Sequence, residues 1–447
     1  MNGNAEALSC RATSCALRSA WVFLFLWPLL PAAEPGDVVR AMDLDREASV
    51  AEEQGDIPTF LSKIEEAAGL RPDFPRLLMK LAAAQLANEQ AGAALATLGR
   101  IAAMGVSMPV ERDDAFATLR GRPEFDAVLK KFAGNTRPQG SGEIAFALRE
   151  VTGLIEGITW RESTGDFLFG DVNGRVVWIR DRNNSLRRLN VDSDELLGVF
   201  GLAVDTGQGA LWAVMSAVPA MRGFSADQEG LAALAEIDLD SGEVRRTITL
   251  TAGARMPGLP LLADVVVAPD GAVYATGSAT GVVWRLPAGA SALEPLAEDE
   301  SLMTLSAMTI VAGGSALLVA DRMSGLFHVD IGSGAVRRLE EPADTTLVGI
   351  DGLVTAADGT ILAIQNGTNP NRILRLQLDL GTFRISGVTI LEAGHFTMAA
   401  PSLGCIGPGG DFYFVGNSGW HRFGYGAEPT EPRSLPVFRT FRDPAAR

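Results

Sequence analysis

Residues 261–286 read LLADVVVAPDGAVYATGSATGVVWRL. Three short β-branched or aromatic runs, DVVV, AVYATG and VVWRL, are separated by Pro-Asp-Gly and by a second turn ending in Gly281. Runs of this composition bounded by turn glycines read as consecutive antiparallel strands. The unit starts on an anchor residue, Asp264, and reaches its turn glycine, Gly271, seven residues later.

Working outward, the same spacing recurs. Gly157 stands before Gly165, Gly201 before Gly209, Ala307 before Gly314, Gly352 before Gly359, and Leu403 before Gly410. Each turn leads into another β run: DFLFGD, ALWAVM, ALLVAD, TILAIQ and DFYFVG. A third run follows in two of these units, RVVWIR after Gly174 and LFHVDI after Gly325. A single hairpin cannot bury both its faces, whereas hairpins set radially bury them against one another. Six units at roughly 45 residues each match four-stranded propeller blades. No ten-residue helices alternate with the strands, which excludes a parallel α/β sheet. A β-sandwich would give no reason for a repeated anchor-to-turn spacing. The predicted fold is mainly β, a six-bladed β-propeller over residues 143–447. EIAFALRE (143–150) and PVFRTFR (436–442) are expected to share one blade and so hide two sheet edges.

Upstream the pattern changes. Residues 40–135 are rich in Ala, Leu, Glu and Lys, with apolar residues at helical spacing. A helix is predicted from Pro75 to Asn88, with Leu78, Leu81, Ala82 and Leu86 on one face. A second runs from Ala91 to Met104 and stops at Gly105, with Ala94, Leu98 and Ile101 as its stripe. Phe116 to Phe132 reads as a closing helix. The pair resembles a tetratricopeptide repeat, which implies either a peptide-binding groove or a helical cap on the next domain. Fewer than three repeats favours the cap. Residues 133–142, AGNTRPQGSG, read as a linker. At the N-terminus, Arg11 and Arg18 precede the uncharged run SAWVFLFLWPLLPAA (19–33). Fifteen residues are short for a membrane span. Residues 1–33 therefore read as a secretory signal, implying an exported protein, periplasmic or extracellular, with no membrane span once it is removed; Pro31, so close to a cut after Ala33, leaves an uncleaved anchor as the alternative. Cys10 and Cys15 would leave with the signal, and Cys405 would have no partner for a disulfide.

Composition narrows the function. Against 38 Lys and Arg stand 54 Asp and Glu, a formal charge of −16, which argues against nucleic acid as a partner. The chain has 3 His in 447 residues, so a tri-histidine metal site or a Ser-His-Asp triad is hard to assemble.

In a propeller the first strand of each blade starts, and the second ends, at one mouth of the axis. The residues just before the anchors are Glu156, Phe200, Ala263, Ser306, Asp351 and Ser402. Those ending second strands include Asp171, Ser278, Asp321, Asn366 and Asn417. Asp171, Asp321, Asn366 and Asn417 are thus candidates for the mouth of an axial pocket. Asp171 before Val-Asn-Gly and Asp321 before Arg-Met-Ser-Gly suit turn chemistry equally, as does Asn417 in VGNSGW.

The phrases LIEGITW, LLADVVVAPDGAVYATGS, LSAMTIV, ALLVADRMSGLFHVD and IDGLVTAADGTILAI resemble the senescence-marker-protein, gluconolactonase and luciferin-regenerating-enzyme-like propellers, with which strictosidine-synthase-like proteins share their architecture. The resemblance spans about residues 150–420. It implies one divalent cation on the axis, calcium or zinc, held by oxygen ligands from blades one, four and five. Carried onto this chain, those ligands are Glu156, Ser306 and Asp351, with Asp351 as the catalytic residue that activates water on a small lactone or ester. The family's amide in blade four is Ser306 here, and its substrate-contacting amide in blade three is Ala263. A hydroxyl is a shorter and weaker ligand. The expectation is therefore a module that binds a small-molecule ligand or a peptide or protein partner, with a degenerate axial pocket. A metal-dependent hydrolase is the alternative.

Overall fold

The structure is a computed structural model that describes residues 35–151, 153–189, 196–251, 260–423 and 431–440. The leader read over 1–33 lies outside the described residues.

Six four-stranded antiparallel sheets follow one another. From the axis outward, blade one holds Ile155–Arg161, Asp166–Asp171, Val176–Arg180 and Leu186–Arg188. Blade two holds Gly198–Asp205, Ala210–Ser216, Leu231–Asp238 and Val244–Thr251. Blade three holds Val265–Val267, Val273–Gly277, Val282–Leu286 and Glu294–Glu298. Blade four holds Leu305–Val311, Ala316–Asp321, Gly325–Asp330 and Val336–Arg338. Blade five holds Ile350–Thr355, Ile361–Gln365, Arg372–Asp379 and Arg384–Ala393. Blade six holds Gly404–Ile406, Phe412–Val415, Arg433–Thr440 and, outermost, Glu143–Val151. The innermost strands touch in a closed circle, one to six and back to one. The chain is a six-bladed β-propeller, closed by pairing Glu143–Val151 with Arg433–Thr440 as the sequence predicts.

The core follows from this layout. Each junction between neighbouring blades has its own apolar cluster: Leu168 with Leu211 between one and two, Trp212 with Val273 between two and three, Phe327 with Tyr274 between three and four. Leu318 meets Ile361 between four and five, Ile364 meets Phe414 between five and six, and Phe167 meets Tyr413 between six and one. Every sheet is thus buried on both faces, which explains near-continuous apolar runs in place of strict alternation.

Among the described residues five α-helices precede the propeller: α1 (Pro35–Glu53), α2 (Ile57–Leu70), α3 (Pro75–Ala87), α4 (Ala91–Ala103) and α5 (Pro123–Asn135). Proline at the first helical position of α3 and α5 removes an N–H that would be unpaired there. Leu78, Ala82, Ala94, Leu98 and Ile101 are fully buried between α3 and α4. α5 runs three residues into the predicted linker, and Gln139 bridges to Ala393 of blade five.

The helices are fastened to the propeller by buried polar groups. Arg71, 1 % exposed, grips Asp73 with two hydrogen bonds of 3.0 and 2.8 Å and donates to Met323 O at 3.2 Å. Asp73 also accepts from Arg338 of blade four at 2.8 Å, and Arg338 donates to Glu341 at 3.1 Å. Arg372 of blade five donates to Met104 O at the end of α4 (2.8 Å). Ser107 N donates to Asn369 O at 2.7 Å. Met323 and Asn369 follow second strands and Val348 precedes an inner strand, so the helices sit over blades four and five on the face where the axial mouth opens.

Candidate functional site at the axial mouth

The inner strands of blades one, two, four and five share an irregularity. Their pairing with the second strand slips between Ile155 and Ile158, Val199 and Leu202, Leu305 and Met308, and Ile350 and Gly352. Such a bulge frees residues from the ladder and re-aims their side chains. Glu156, Phe200, Ser306 and Asp351 all lie in these slips, so the residues preceding the anchors are presented to the hub rather than to a neighbouring sheet. Gly157 permits the close approach: a Cβ there would lie 2.1 Å from Phe200 O.

Interblade hydrogen bonds close the hub. Ser402 Oγ donates to Glu156 O at 2.8 Å, Gly201 N to Ala263 O at 3.0 Å, and Thr276 Oγ1 to Ser306 O at 2.9 Å. Ser306 Oγ donates to Ile350 O at 2.7 Å and to Ala320 O at 3.3 Å. The single Ser306 hydroxyl proton is thus shared between carbonyls of blades four and five.

Glu156 and Asp351 meet around one guanidinium. Arg322, in the turn after the second strand of blade four, pairs its Nη1 with Asp351 Oδ1 and donates Nη2 to Asn366 Oδ1 at 3.0 Å. Asn366 Nδ2 returns a bond to Asp351 Oδ2 at 2.5 Å and another to Pro401 O at 2.8 Å. Trp420 Nε1 donates to Glu156 Oε2 at 2.9 Å, and the Trp420 ring lies 6.2 Å from that of Phe200. Burial, and next the charge of Asp351, push the Glu156 carboxyl up to about 8; the Trp420 N–H and Arg322 oppose this and lose. Glu156 is therefore biased toward its protonated, hydrogen-bond-donating form beside the Arg322–Asp351 pair. The Arg322 side chain is 38 % exposed and Trp420 is 38 % exposed, so the cluster can be reached from solvent.

Of the other mouth candidates, Asn366 joins this cluster. Asp171 and Asp321 do not. Asp171, 1 % exposed, accepts from Leu154 N at 3.0 Å, Gly174 N at 2.7 Å and Trp178 Nε1 at 3.0 Å. Asp321, 0 % exposed, accepts from the backbone of Met303, Thr304, Met323 and Ser324. Each pins the turn after its second strand to the segment entering its blade. Asn417 pairs with Ala400, and its backbone carbonyl accepts from Arg433 at 2.9 Å. Arg322 and Trp420 were not singled out in the sequence.

The three carried-over ligand positions are each engaged within the protein. Both Asp351 oxygens are engaged by Arg322 and Asn366, one Glu156 oxygen is held by Trp420, and Ser306 donates elsewhere. Among the described residues no three His, Cys, Asp or Glu are grouped as metal ligands. No helix among them is long and apolar enough to cross a membrane.

No family profile matches the sequence, and no curated protein matches it. Solved structures similar to the chain include a protein provisionally classed as a gluconolactonase, at 18 % identity, with 72 % of this chain and 98 % of that one covered and a TM-score of 0.43. The luciferin-regenerating enzyme is similar at 13 % identity over 65 % of this chain and 92 % of that one, TM-score 0.44. Virginiamycin B lyase from Staphylococcus aureus is similar at 14 % identity over 62 % of this chain and 81 % of that one, TM-score 0.42.

Proposed function

We propose that the protein is a binding propeller whose axial mouth takes a small, uncharged, hydroxyl-bearing ligand, with the Arg322 guanidinium in the place a divalent cation would need. The observation that carries this reading is the bridge from Arg322 to Asp351 and Asn366. It supplies an internal positive charge at the point where two carboxyl groups converge, so no ion is required to offset them. Around it the ligand meets a protonated Glu156 as donor, an amide at Asn366 and the flat apolar face of Trp420. The helices over blades four and five wall one side of the mouth. The leader read in residues 1–33 supports action outside the cytoplasm.

The test is a thermal melt with millimolar calcium or zinc, beside a tryptophan-fluorescence titration with simple sugars and their lactones. The proposal expects no metal-dependent shift, and quenching by a sugar that is lost in Trp420→Phe. A rise in Tm with either ion that Asp351→Asn removes, together with lactone turnover, would replace it with the metal-dependent hydrolase.

A further inference from the structure

Below the mouth the inner strands continue as a channel of about 410 Å3. This is within the range of small-molecule sites, roughly 300–1,000 Å3. Aliphatic side chains, among them Ala203, Val266, Ile310, Val354 and Ile406, line it beside a comparable share of polar surface. Two of its hydroxyls, those of Thr309 and Thr355, bond each other at 2.8 Å.

One charged group faces this space. Asp264 lines the channel and is 8 % exposed. It stands where other blades carry Gly157, Gly201, Ala307, Gly352 or Leu403. One carboxylate oxygen accepts from Met308 N at 3.0 Å. The other has room because Gly201 lacks a side chain: a Cβ there would lie 2.8 Å from Oδ1. Among the described residues no Lys or Arg is paired with it. Burial first, and the charge of Asp351 in addition, push this carboxyl up to about 7.

A buried carboxylate without a counter-ion is costly, and a cation brought beside it in a low-dielectric site gains accordingly. An anion would face Asp264 and Asp351 together. We infer that the channel binds an organic ammonium ion with a slender apolar body, its nitrogen seated on Asp264. This site is separate from the cluster around Arg322 and does not depend on the function assigned to it.

The experiment is calorimetric titration of the full chain at pH 8 with hexylamine, hexan-1-ol and hexanoate, which share one apolar tail. The amine should bind at least about ten-fold more tightly than the alcohol, the yield of one charge-assisted pair, and hexanoate should not bind. Asp264→Asn should bind amine and alcohol alike. Ala203→Phe, which fills the channel, should bind neither. Equal affinity of the wild-type chain for amine and alcohol overturns the inference, as does absence of amine binding at millimolar concentration. So does an amine preference that survives Asp264→Asn. Should Asp264→Asn fail to fold, the wild-type comparison of the three tails still decides.

Discussion

Arg322 of blade four lays its guanidinium on the carboxylate of Asp351 in blade five, 29 positions along the chain. The pair ties two blades together at the hub, and its two charges act in opposite directions on the buried Glu156 beside it.

Removing the cation should cost stability. Arg322→Met leaves Asp351 beside Glu156 with no positive charge among them. Breaking a fully buried pair costs about 3–5 kcal/mol, and the partial exposure of Arg322 reduces this to roughly 2 kcal/mol. Denaturant unfolding checks the value, and Arg322→Met with Asp351→Asn should recover part of the loss. The single variant should also acquire a calcium-dependent rise in Tm, whereas the wild-type chain should show none.

Stability should fall as pH rises from about 5 to 8. Glu156 (up to about 8), Asp264 (about 7) and Glu341 (about 7) all have folded-state values above their unfolded ones, with burial as the first cause. The folded chain therefore binds more protons than the unfolded chain across this window. The stabilisation is complete below the unfolded values near 4 and is lost through the folded ones. Urea midpoints at pH 5, 6.5 and 8 should decrease in that order, and Glu156→Gln should flatten the upper end. A rising profile would contradict the charge states assigned to the hub.

Asp73→Asn should loosen the helices. It leaves Arg71 and Arg338, 1 % and 7 % exposed, facing each other with only Glu341 between them. The expected cost is about 3–5 kcal/mol. Limited proteolysis should cut within α2 to α4 before the blades. For the same reason, deleting residues 35–135 should leave an insoluble propeller, since Arg338, Arg372 and Val348 lose their cover. A soluble, folded remnant would mean that the helices are an independent module.

Asp321→Ala should cost about 3–5 kcal/mol, because four backbone N–H groups lose an acceptor in a site without water access. Asp379 makes similar turn contacts to Gly381 and Thr382 at the surface. Asp379→Ala should cost under about 1 kcal/mol, since water replaces the acceptor. Equal costs for the two variants would show that burial does not govern these turns.

The architecture was legible because a blade is local: an anchor, a turn glycine and a β run all fall within one hairpin. Third strands were read where a second turn glycine marks them, as before Val176–Arg180. They were not read in blade two or five, where Leu231–Asp238 and Arg372–Asp379 follow other kinds of loop. Glu156 and Asp351 could be placed at the hub because they precede anchors. Arg322 could not, since a cation in a turn reads as solvated surface until a strand from the next blade arrives beside it. Trp420 reaches Glu156 across 264 positions, a contact without local signature. Asp264 did leave a signal: an acid at an anchor position where the other units carry glycine, alanine or leucine.

The closure of blade six bears on biosynthesis. Glu143 pairs with Arg439, 296 residues later. At about 5–20 amino acids per second, the outermost strand leaves the ribosome on the order of half a minute before its partner is made. Until then the ring is an open arc with an unsatisfied edge at each end. Nascent chains halted before residue 433 should therefore accumulate with holding chaperones.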